Sequence, residues 1–323
     1  MDANHSTPAH NGSRLRMALV GTEGSGKTVL TCVLAKRFSC PDHNGVFLEP
    51  GNPSTLKYVE RVWATLTSRE WPPSTSPGEL FKLKWILHLP NGLKSELHLI
   101  DVAGQDIRKL FDDDEPARDQ LLSPLDELHR LRRYCRRADI VLFLVNLRDF
   151  VGEGDPDRRA ANEAAMKFAM DRVLADGSSR RAILVLTQTD QYADHLKQQG
   201  GWQNLTRQAM PYIYSAHLQS GRVPVLGVAA VMDTVVRDGP DGTPHRVPAP
   251  DFRSEGLDQL LNEVKQTYEA LIKPPSPRGA GGMLLGGAIG GAIGWLFGGP
   301  MGAGIGAGIG GAIGGAIEGA SGR

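Results

Sequence analysis

The chain holds 323 residues with 36 basic and 36 acidic side chains, long enough for one large domain with appendages and without net charge. That balance gives no global pull toward nucleic acid, which is not expected as a partner. The three cysteines, Cys32, Cys40 and Cys135, form neither a C-x-x-C pair nor a metal-ligand spacing, which argues against a disulfide framework or a zinc site and points to a reducing, cytoplasmic compartment.

Residues 1–13 are polar, lack the apolar stretch of a secretory signal, and are expected to form a disordered arm. From residue 14 to residue 273 short apolar runs alternate with helix-patterned segments, the pattern of strands and crossover helices around a mostly parallel sheet. Six runs predict strands: "LRMALVG", "ELFKLKWILHL", "ELHLIDVAG", "ADIVLFLVNL", "RAILVLTQTD" and "RVPVLGVAAV". The second alternates polar and apolar residues (Phe81, Leu83, Trp85, Leu87, Leu89), as a half-exposed edge strand does. Asn91-Gly92 is a hairpin signal that makes the second and third runs antiparallel. The fourth and fifth read as continuously buried strands.

The first strand leads into Gly21, Thr22, Glu23, Gly24, Ser25, Gly26, Lys27 and Thr28, the G-x-x-x-x-G-K-[ST] phosphate loop, and then into a helical segment. The chemistry asks for these types. Glycines let backbone N–H groups curl around a phosphate, Lys27 supplies positive charge to the β and γ phosphates, and Thr28 offers a hydroxyl to Mg²⁺. Further along, "LIDVAGQD" places Asp101 at a strand end, followed by Gly104 and Gln105. An aspartate there suits a magnesium-bound water, the glycine N–H a γ-phosphate, and the glutamine an attacking water.

With these motifs the chain resembles the Ras-like, translation-factor-related P-loop GTPases, and bacterial conflict-system GTPase modules among them. The resemblance runs from residue 14 to residue 273 and implies a three-layer α/β G domain, with a mostly parallel six-stranded sheet and one antiparallel edge strand. It also implies GTP or GDP and Mg²⁺ as ligands. In "LVLTQTD", Thr187, Gln188 and Asp190 stand where the family reads guanine, with Gln188 replacing the usual lysine and Thr187 the commoner asparagine. In "VPVLGVAAV", Ala229 and Ala230 fall at the family's second base loop, where the Ala230 N–H would meet the guanine oxygen. The magnesium threonine of the first switch is expected at Thr75, with Thr55 and Thr67 as competitors. Arg69 is either an internal arginine finger or a solvated loop residue. Glu23 stands near the γ-phosphate where many relatives keep glycine, which implies slow hydrolysis.

Residues 106–138 make the second switch region about twice the usual length for a Ras-like domain. Leu121, Leu122, Leu125, Leu128 and Leu131 predict a helix there, and Arg130, Arg132, Arg133, Arg136 and Arg137 face solvent, phospholipid or an acidic partner. Protein regulators or effectors are expected at both switches. A last amphipathic helix carries Leu257, Leu260, Leu261, Val264, Tyr268 and Leu271. Residues 274–280 form a proline-rich linker.

Residues 281–320 repeat Gly-x-x-bulky nine times from Gly282 to Ile317, a glycine zipper. On a helix this sets a groove of bare backbone beside a ridge of large side chains, which lets helices approach closely. Gly298-Gly299-Pro300 divides it into two halves, as in a membrane hairpin; self-association, burial on the domain and disorder stand beside that reading. The expected function is a GTP-hydrolysing switch controlling this tail. A nucleotide-binding scaffold with negligible turnover and an ATP-using P-loop protein are the alternatives.

Overall fold

The computed structural model describes residues 14–41, 45–75, 80–89, 92, 94–102, 134–135, 137–151, 155–175, 181–239 and 242–272. The chain divides into two units, Met1–Tyr268 and Glu269–Arg323, and the architecture here is that of the first. The arm, the linker, the glycine zipper and nearly all of the enlarged second switch lie outside the described residues. No helix among the described residues is long and apolar enough to cross a membrane.

Seven strands form one sheet: β1 (Arg14–Gly21), β2 (Phe47–Pro50), β3 (Leu80–His88), β4 (Lys94–Val102), β5 (Ile140–Asn146), β6 (Arg181–Thr187) and β7 (Val225–Val228). Their spatial order is β2-β3-β4-β1-β5-β6-β7. β1 lies parallel between β4 and β5, and β6 and β7 continue the parallel half. β3 and β4 form the expected antiparallel hairpin, in register from Leu80 opposite Val102 to His88 opposite Lys94.

Two corrections to the sequence expectation concern this edge. The sheet has seven strands rather than six, and β3 is not its edge, because β2 pairs antiparallel along its outer side. β2 is four residues long with only Leu48 buried, too short to show a period, and Pro50 is tolerated because edge strands leave backbone groups unpaired. β3 keeps its alternation all the same, with Leu83, Trp85 and Leu87 buried.

Helices cover both faces. β5 shows why: Ile140, Leu142 and Leu144 enter one core with α1 (Lys27–Arg37), α2 (Pro53–Thr67) and α6 (Leu257–Ile272). Val141, Phe143 and Val145 enter the other, to which α3 (Pro156–Leu174) supplies Met166 and Met170 and α5 (Trp202–Ala209) supplies Leu205; the short α4 (Ala193–Gln199) between them buries no residue. A strand buried on both faces has no polar phase, so β5 is apolar throughout until Asn146. α2 starts where Asn52 accepts the Thr55 N–H at 2.8 Å and Pro53 occupies the first turn. It ends in a reciprocal cap, Glu70 N–H to Thr65 O and Arg69 N–H to Leu66 O, with Arg69 left-handed at φ 61°. A hairpin of β8 (Thr234–Asp238) and β9 (Pro244–Pro248) is inserted between β7 and α6.

Candidate nucleotide site

The phosphate loop joins β1 to α1 at the carboxyl end of the parallel strands, where ligands of open α/β sheets bind. Gly24 (φ 74°) and Gly26 (φ 79°) are left-handed, which turns the loop back on itself. A Cβ on Gly21 would stand 2.8 Å from the Leu144 carbonyl, so only glycine lets β1 run this close to β5. Two neighbouring strands brace the loop. Asn146 donates its side-chain amide to Gly24 O at 3.1 Å, and the Thr187 hydroxyl donates to Ser25 O at 3.1 Å.

Lys27 is buried, and its ammonium donates to Gly21 O at 2.8 Å and Thr22 O at 3.1 Å. Thr28 follows Lys27 in the first turn of α1, and its hydroxyl lies 3.4 Å from the hydroxyl of Thr75. Adjacent ligands of an octahedral Mg²⁺, each at about 2.1 Å, stand about 3 Å apart. Two hard oxygens at this spacing, at the mouth of a phosphate loop, fit that ion. The competing threonines are engaged elsewhere: buried Thr55 accepts the Lys84 N–H at 2.9 Å, and Thr67 donates to Trp63 O at 3.0 Å within α2.

A cleft of about 640 Å³ runs from Gly24, Lys27 and Thr28 past Trp71–Thr75 to Gln188, Gln191 and Ala230. Glu23 is exposed and lines its phosphate end. Asp190 does not itself line the cleft; it lies in the turn Thr189–Tyr192, between the cleft-lining Gln188 (left-handed, φ 60°) and Gln191. Asp190 Oδ1 is buried and accepts no hydrogen bond from the protein. Burial pushes its carboxyl up, the N–H groups of Asp190 and Gln191 hold it back in part, and the charges of Asp233 and Glu255 add to the rise. A carboxylate oxygen with no protein donor, next to the cleft-lining Gln188 and Gln191, suits a donor from a ligand, and the guanine edge carries two N–H donors where adenine has none to match.

Against this geometry, residues 18–185, just over half of the chain, match the Double-GTPase 1 family. The chain belongs to the Double-GTPase 1 family. Its family and its phosphate loop make it a GTP-binding P-loop GTPase. Among solved structures it is similar to a bacterial selenocysteine-specific elongation factor, EF-Sec, at 13% identity and TM-score 0.37, over 80% of this chain and 29% of that one. It is also similar to the elongation factor SelB from Methanococcus maripaludis, in complex with the GTP analogue GppNHp, at 14% identity and TM-score 0.36, over 80% of this chain and 34% of that one. The chain thus spans about a third or less of those proteins. No curated protein matches it significantly.

The family match ends before Thr187, so the base end of this Double-GTPase 1 chain rests on its own geometry. Asp101 is described only as backbone of β4, opposite Phe81, and Gly104 and Gln105 lie outside the described residues. Ala229 is tied by backbone bonds in both directions to Glu255, at 3.1 and 2.8 Å, which leaves Ala230 as the member of the pair that lines the cleft. Arg69 is exposed beside Val235 and Val236, does not line the cleft, and so matches the solvated alternative. Among the cleft-wall residues that sequence reasoning missed are Trp71, Arg148, Tyr192 and Arg246. None sits in a motif; only the pairing of an aromatic residue with Pro72-Pro73 marks the first of them.

Proposed function

We propose that the protein is a Mg²⁺-dependent GTP hydrolase acting as a molecular switch, with residues 14–273 as its GTPase domain. The observation that carries this reading is the Thr28–Thr75 hydroxyl pair at the mouth of the phosphate loop. When bound, Mg²⁺ supplies charge neutralisation on the β and γ phosphates. Thr28 and Thr75, with Asp101 through a water, would hold it. Lys27 exchanges its loop carbonyls for phosphate oxygens, and backbone N–H groups from Gly24 to Thr28 cradle the phosphate chain. The Gly104 N–H meets the γ-phosphate, and Gln105 orients the water that attacks the γ-phosphorus; the bond to the β-γ bridging oxygen breaks, leaving GDP and inorganic phosphate. Asp190 accepts the two guanine N–H donors, and the Ala230 N–H meets the guanine oxygen.

Loss of the γ-phosphate removes the reason for Thr75 to stay beside Thr28, and the switch segments release. In this proposal that release governs the glycine zipper, which acts by close helix packing, within a membrane or between copies of the chain. Protein regulators bind at the switches. Identification of the nucleotide retained by the full-length protein after gentle purification tests the base assignment. Guanine nucleotide is expected, and adenine nucleotide alone would reject it.

A further inference from the structure

We propose that Trp71 is a positioning residue for the triphosphate state: by hydrogen-bonding the β8–β9 hairpin it holds the first switch so that Thr75 stays beside Thr28. The inference rests on the reading of Thr75 as a magnesium ligand.

Trp71 is 43% exposed, too open to serve mainly as core, yet its indole N–H donates to the Arg246 carbonyl at 2.7 Å, 175 residues away. Only four residues separate the capped end of α2 at Glu70 from Thr75, and Trp71 is the first of them. Pro72 and Pro73 follow. Each proline fixes φ near −65°, so the segment is a stiff arm rather than a loose tether, and fixing its first residue restricts where Thr75 reaches.

The other side of the latch is firmly based. Within the hairpin's root Val247 and Ala249 are buried, Ala249 N–H donates to Asp233 O at 2.9 Å, and Met232 N–H donates to Arg253 O at 2.9 Å. Arg253 grips the Asp233 carboxylate through two nitrogens, at 3.1 and 3.2 Å. The same root follows directly on Ala230 at the base end of the cleft. Trp71, Thr234 and Arg246 all line that cleft, so the hairpin closes it on the side of the first switch. An inserted hairpin therefore joins the base-reading end to the magnesium end through one side-chain hydrogen bond.

The test uses the full-length protein and fluorescent GDP and GppNHp, each with and without Mg²⁺. Trp71→Phe keeps the ring and removes the N–H donor. It should weaken Mg²⁺-dependent GppNHp binding by about three- to tenfold, the range of one net hydrogen bond, and leave GDP affinity within about twofold. Thr75→Ala should show the same selective loss, and the double variant should bind no worse than Thr75→Ala alone, because Trp71 acts through Thr75. Equal loss for both nucleotides in Trp71→Phe, or no loss for either, overturns the positioning role while a selective Thr75→Ala effect keeps the magnesium assignment. A Thr75→Ala protein with unchanged Mg²⁺-dependent GppNHp binding removes that assignment and this inference with it. A wild-type protein that binds neither nucleotide rejects the GTPase reading itself.

Discussion

Replacing Lys27 with alanine leaves the phosphate chain without its buried cation while the loop glycines stay in place. Removing one partner of a buried charge pair costs about 2–5 kcal/mol, so Lys27→Ala should weaken GDP and GTP binding by at least about thirtyfold in a direct titration. Near-native affinity would show that the loop does not hold phosphate. Asp190 sets a pH dependence. Its carboxyl is raised by burial, so its ionised form is disfavoured, and only that form accepts both guanine donors. Guanine affinity should therefore fall as pH drops through this raised value, at a higher pH than an ordinary aspartate would give. For folding, the sign is opposite: a raised carboxyl adds stability below its unfolded pKa and loses it as pH rises through the folded one. Asp190→Asn should flatten the pH dependence of binding and relax GTP over ATP selectivity together; a variant that keeps both would reject the residue as base reader. Lys27, Thr28 and Asp190 were legible in the sequence because each belongs to a short motif at a strand end. Trp71, Arg148, Tyr192 and Arg246 were not, since they meet only through the fold.

The strands that carry the site were readable for a physical reason as well. β5 and β6 are buried on both faces, so their apolar runs are unbroken, and β3 is buried on one, so it alternates. α2 was not legible as a helix, although Asn52-Pro53 and the buried Tyr58, Val59, Val62 and Leu66 mark it, because it lies in the segment between α1 and β3 where a first-switch loop was expected. The β8–β9 hairpin escaped because its residues are mostly exposed and its informative contact is with Trp71, far away in sequence. Two substitutions probe these elements. Thr187→Val keeps the shape of β6 but strands the Ser25 carbonyl, and should destabilise the protein by about 1–3 kcal/mol in chemical denaturation while weakening nucleotide binding. Unchanged stability would mean that β6 does not brace the loop. Arg69→Gly relieves a left-handed non-glycine at the α2 cap, a conformation that costs L-residues roughly 1–2 kcal/mol, so it should raise or preserve the melting temperature and leave GTP turnover unchanged. A turnover loss of about tenfold or more would restore Arg69 as an internal arginine finger.

On the scale of the whole molecule, a GTPase domain is joined in one chain to a repeat whose chemistry is entirely different. Each helical glycine costs about 1 kcal/mol against alanine in water, so residues 281–320 need a partner surface to be helical. Leucine at Gly286, Gly290 and Gly294 raises hydrophobicity but blocks backbone approach. If packing is the tail's role, these variants should lose crosslinked assembly while still floating with liposomes; assembly that survives would reduce the tail to apolar content alone. The domain's role, in turn, depends on turnover. The most direct measurement is single-turnover hydrolysis of GTP by the full-length protein with Mg²⁺, run beside ATP and beside Gln105→Leu. The account predicts conversion of GTP to GDP and phosphate, no comparable conversion of ATP, and a Gln105→Leu protein that binds GTP normally but hydrolyses it more slowly. GTP that is bound and never hydrolysed, or ATP hydrolysed as readily, would contradict it.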